Sequence, residues 1–231
     1  MRGRTFLQLI DSTKAEARHA LSPALSQNAL PFIKQTIARV YENLYMAHEW
    51  PQLQIDRSVN IDAGMRYYAF PPDMDFERTV AVKVKWSGQW TDPLKFGIST
   101  DDYNSYDPDQ NQRSDPAWKW DWAEGDMIEI WPLPASNQVN ALRFEGMLKF
   151  VPLVDEADVC KIDSNIVVLF AAAEILASQN SKDAQAKLAN AQLALSRLLG
   201  KASKNRVTSL VGESKLDGDR ERVRVTYARA G

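Results

Sequence analysis

From Leu53 to Phe150 the chain carries its apolar residues in short alternating or β-rich runs, whereas on both sides the apolar spacing is helical. A period that changes from 3.6 to 2 and back restricts the fold to helices flanking a β insertion. The runs are LQIDRSV, RYYAF, RTVAVKVKW, PLKFGIS, AWKWDW, DMIEIW and ALRFEGMLKF. Between them lie PPDMD, SGQ, the long STDDYNSYDPDQNQRSDP and PLPASNQ, all turn or loop chemistry. About seven strands at such spacing predict an antiparallel β-sandwich or small barrel over residues 52–152.

The flanks complete an α+β architecture. Phe6, Leu9, Ile10, Ala17 and Ala20 predict a first amphipathic helix over 5–20. SPALSQNALP (22–31) reads as a loop. A second helix over about 31–48 starts with Pro31 in its first turn and carries Ile33, Ile37, Val40, Tyr41, Leu44 and Tyr45 as its stripe. Trp50-Pro51 ends it, since proline disfavours helix in the residue before it. Asp163 or Ser164 can cap SNIVVLFAAAEILASQ, apolar nearly all round and therefore expected in the core. Asn180-Ser181 breaks the chain before a helix closing on Gly200 as its C-cap, so residues 153–200 are expected to form a helical hairpin packed on residues 1–51. Residues 201–231 read as an extended, polar arm with one strand-like run, RVRVTY.

Composition is that of an ordinary globular protein, with 45% hydrophobic and 25% charged residues and a net charge of −2. The charge is unevenly placed. Residues 100–130 hold nine acids and two bases, and residues 201–231 hold eight bases and four acids. An acidic face and a basic tail with its own partner are therefore expected. The single cysteine, Cys160, excludes an internal disulfide and fits a reducing compartment. No apolar stretch reaches membrane-spanning length, and the apolar start of the chain stops at Ile10, too short for a signal peptide.

Catalytic signatures are not found. His19 and His48 have no Cys or His at ligand spacing, Cys160 reads as a buried small hydrophobe, and neither common phosphate-cradling loop is present. Asp107, Asp109 and Asn111 follow the D-x-D-x-N start of a calcium loop, but Gln112 and Trp118 stand where glycine and glutamate belong. A plain acidic surface loop is the expectation, and no cofactor is implied.

Trp118, Trp120 and Trp122 alternate, so one strand face carries all three, with Lys119 and Asp121 opposite. AEGD joins this run to DMIEIW, which ends in Trp131, as one hairpin. The four tryptophans are expected in the β core or at a subunit interface. A carbohydrate-binding sandwich using the Trp118, Trp120 and Trp122 face is the alternative, and base stacking, with the basic tail on nucleic acid, is a third.

RTFLQLIDSTKAEARHALSP, followed by a helix into YENLYMAHEWPQL, resembles the start of bacteriophage head–tail adaptors. GDMIEIWPLPAS, ALRFEGMLKF and VPLVDEADVC resemble that family's strand–P-x-P–strand passage, and NIVVLFAAAEILASQNSKDAQAKLANAQLALSRLL resembles its paired helices. The resemblance implies a structural virion protein and no enzyme. It implies a ring, typically of twelve copies, at the head–tail junction. Such a ring docks under the portal protein, continues the DNA channel without holding genomic DNA, and presents a surface to the next tail component, a nozzle or fibre. The arm is then expected to bind the portal through Arg222, Arg224, Val225 and Tyr227, and Asp101, Asp102, Asp107 and Asp109 are candidates for the channel lumen.

Overall fold

The computed structural model describes residues 3–17, 29–107 and 109–204. Among the described residues it is an α+β fold of five α-helices and eight strands. Helix α1 (Phe6–Glu16) opens on a capping box: the Thr5 hydroxyl accepts from the Gln8 amide at 3.3 Å, and Gln8 Oε1 accepts from the Thr5 amide at 3.1 Å. Helix α2 (Leu30–Ala47) buries the anticipated apolar stripe and adds Thr36, whose hydroxyl donates to the Phe32 carbonyl. His48 turns extended after it, and the Trp50 indole donates to the Leu44 carbonyl at 2.9 Å, satisfying one of the acceptors a helix end leaves open.

Strands β1 (Gln54–Ile61), β2 (Tyr67–Ala69), β3 (Met74–Trp86), β5 (Lys95–Phe96), β6 (Lys119–Ala123), β7 (Met127–Trp131) and β8 (Gln138–Leu148) occupy the seven expected runs. The additional β4 (Gln89–Trp90) is the return of the hairpin through Ser87 and Gly88, both at positive φ. One sheet has the order β1-β8-β3-β4 and the other β2-β7-β6-β5. Pairing is antiparallel except between β5 and β6. Val82, Val84, Leu142 and Phe144 from the first sheet meet Tyr68, Trp120, Ile128 and Ile130 from the second in a single buried cluster. Two sheets sharing one core is the sandwich arrangement.

Helix α3 (Thr100–Ser105) lies inside what reads as a long loop. Helix α4 (Ser164–Ser178) is capped by Asp163, whose carboxylate accepts from the Asn165 and Ile166 amides. It ends in a Schellman turn: Ser181 N donates to Leu176 O, Asn180 N donates to Ala177 O, and Asn180 takes φ 52°. Helix α5 (Ala184–Lys204) does not stop at Gly200 but runs through it. An interior glycine costs a helix only about 1 kcal/mol, too little to end one of this length.

Helices α1, α2 and α4 share a second buried cluster, against which Leu195 and Leu198 of α5 pack. Each large side chain buried there contributes about 1.5–3 kcal/mol. Because β side chains alternate, Phe144 points into the sandwich while Met147 joins the helical cluster. Cys160 is also buried in it, with its thiol pushed up to about 11 by that burial. The segment before α4 clasps the start of α1, with Phe6 N donating to Asp158 O at 2.8 Å and Cys160 N donating to Arg4 O at 3.0 Å.

Candidate functional site

The β6–β7 hairpin turns through Gly125 and Asp126, both at positive φ, and sends its side chains to two different layers. Trp120, Ile128 and Ile130 enter the sandwich core. Trp120 is 7% exposed and Trp118 is 39% exposed, with Trp122 between them. Trp118 precedes the first strand residue and meets the Tyr106 ring instead, at 5.6 Å. The row therefore grades from core to surface. Nor is it flat: the Trp120 and Trp122 rings stand at 85°, and Trp122 is covered by Phe76 with centroids 3.8 Å apart. A sugar or base shelf needs exposed, roughly coplanar ring faces, and this row lacks them.

The opposite face, which alternation predicts as solvated, is covered. Glu129 is only 6% exposed, and Trp131 is fully buried. Arg66, just before β2, places Nε 2.5 Å from Glu129 Oε1, and the Tyr103 hydroxyl of α3 donates to the same oxygen at 2.9 Å. The guanidinium lies 4.8 Å from the Tyr103 ring centroid and 5.5 Å from that of Trp131, and the Tyr103 and Trp131 rings meet edge-on at 4.8 Å. Burial, then the bond to Glu129, raises the Tyr103 pKa. Among the described residues, the Trp131 indole N–H has no acceptor.

Lys119 and Asp121 also serve this layer. Asp121 accepts from the Ile98 amide at 3.2 Å, and Lys119 Nζ lies 2.5 Å from Asp102 Oδ2. Asp102 in turn closes the capping box of α3, whose N-cap is Ser99, accepting from Ser99 N at 2.7 Å and Ser99 Oγ at 2.6 Å. The Lys119 bond first, then those from Ser99, hold its carboxyl down at about 2. Arg66, Tyr103 and Glu129 were not singled out from the sequence. The signals were a glutamate inside the apolar MIEIW run, and Ser99 three residues before a capping acid.

The proposed lumen acids therefore differ in state. Asp102 is neutralised by Lys119, whereas Asp101 and Asp109 are exposed. The calcium-loop residues are engaged locally: Asp107 accepts from Asp109 N and Gln110 Nε2, and Asn111 Oδ1 accepts from Arg113 Nε at 2.8 Å. Among the described residues no group of three or more His, Cys, Asp or Glu is placed to hold a metal ion, and no helix is long and apolar enough to cross a membrane. Arg222, Arg224, Val225 and Tyr227 lie outside the described residues.

The acidic segment is thus bonded down onto β6 and β7. A family model described as SU10 adaptor protein matches residues 4–214. The chain belongs to the SU10 adaptor protein family. The adaptor is thus a structural bacteriophage protein, a virion component that works through contacts with other head–tail proteins. No curated protein matches the chain. The match covers both the helical part and the sandwich, so the β insertion belongs to the family pattern.

Proposed function

We propose that the adaptor assembles into a ring, of twelve copies by family resemblance, that joins the portal to the tail and continues the DNA channel. The observation that carries this reading is the anchored acidic face. Asp101 and Asp109 stand exposed on a segment held by Tyr103–Glu129 and Lys119–Asp102. Carboxylates fixed along a lumen repel phosphate, so DNA passes without being held. The basic run containing Arg222, Arg224, Val225 and Tyr227 suits strand addition to an edge of the portal. The surface left at the far end receives a nozzle or fibre.

The test is particle mass of the purified chain, alone and with portal rings from the same virus. The expected result is a ring-sized gain on the portal that is lost when residues 215–231 are deleted. No gain on intact portal rings would overturn the reading.

A further inference from the structure

Between α2, α4 and α5 the helical part leaves an open apolar groove of about 570 Å³. Val40, Leu44 and Ala173 lie at its base, Phe170 and Leu188 form walls, and Glu174 sits at the rim. Leu188 is 42% exposed. We propose that this groove receives Val207, Leu210 and Val211 of a second copy of the chain, so that each subunit's tail clamps its neighbour; this rests on the ring reading above.

Three observations identify the occupant. The family match runs to residue 214, past Lys204, the last described residue of α5, so this stretch belongs to the family pattern while RVRVTY falls beyond it. Val207, Leu210 and Val211 are spaced to share one face of a helical turn, the pattern an apolar groove reads, while the rim carboxylate of Glu174 is already paired with Arg39 and leaves the groove's recognition apolar. Reach then excludes the chain's own groove. Helix α5 carries Lys204 about 24 Å from Leu188 at 1.5 Å per residue. Beyond Lys204, Val207 extends at most about 10 Å and Leu210 about 20 Å. The three cannot seat together at home. A tail on one surface and a groove on another make a head-to-tail contact, the kind that closes rings.

The test mixes full-length chains carrying Leu188→Cys with chains carrying Leu210→Cys, assembles them on portal rings, and oxidises. Native Cys160 is buried and does not compete. Particle mass is read in parallel. Covalent dimers in the mixture, absent from either variant alone, are the expected result. In addition, Leu210→Asp should raise the half-assembly concentration about tenfold with an unchanged circular dichroism spectrum. Assembled rings without cross-links, or a double variant that closes within one chain, would overturn the clamp and leave the ring standing. Particles that stay monomeric on portal would overturn the ring, and the clamp with it.

Discussion

The Tyr45 hydroxyl, at the end of α2, donates to the Leu148 carbonyl at the end of β8 over 2.7 Å. Arg78 of β3 returns the contact, its guanidinium donating to the Tyr45 and His48 carbonyls at 3.1 and 2.7 Å. A helix that has run out of internal donors is thus completed by the sheet. Tyr45→Phe should cost about 1 kcal/mol, and Arg78→Met about 2 kcal/mol because two charge-assisted bonds go. Thermal unfolding of the two variants checks the order.

Burial first raises the Tyr45 phenol, to about 12. For an acid raised on folding, the stabilising contribution is complete below the unfolded value near 10 and is lost as pH rises through 12. Spectrophotometric titration should show two tyrosines ionising near 12 in the native protein, Tyr45 and the buried Tyr68, and Tyr45→Phe should lower that amplitude by one tyrosine.

Trp120 and Trp118 differ in burial, and their truncations should differ accordingly. Trp120→Ala should cost about 3–5 kcal/mol through lost packing and cavity formation. Trp118→Ala, which loses a partly exposed ring packed on Tyr106, should cost clearly less, about 1–2 kcal/mol. Equal effects in urea titrations would contradict the graded row.

Asp102 carries the opposite sign from Tyr45. Its carboxyl is depressed, so its contribution is complete above the usual value of 3.8 and is lost as pH falls through about 2. Carboxyl NMR should place its midpoint near 2, and Lys119→Gln should move that midpoint up toward 3.8. An unmoved midpoint would mean that Lys119 does not hold it.

Removing Glu129 leaves Arg66 beneath α3 without its carboxylate. Glu129→Ala should cost about 2 kcal/mol, below the range for fully buried pairs because Arg66 stays a quarter exposed, or about 4–8 °C in Tm. Tyr103→Phe should leave the rest of the fold intact while speeding proteolysis within residues 97–116.

What was legible in the sequence follows from where one physical rule acted alone. The α2 stripe from Ile33 to Tyr45 and the strands at β3 and β8 obey a single period over many residues, and the structure has them there. Helix α3 was not legible: six residues give no stripe, and its stability comes from Ser99, Asp102 and the distant Glu129. Gly200 was misread because a glycine after a stripe marks a helix end only when the backbone turns left-handed there, and α5 continues through it. The face under α3 was hidden for the same kind of reason. Alternation assigns polar residues to solvent, whereas Lys119 and Asp121 bond to an element from another part of the chain.

The first residue of β1, Gln54, is paired with Met147 near the end of β8. The chain therefore leaves its helices and returns to them through adjacent rungs of one ladder. Everything between is a cassette with a two-strand handle. Lengthening, trimming or exchanging that cassette alters what the protein presents at its far end while the entry and exit points keep their spacing. The helical frame keeps its geometry whatever the cassette carries.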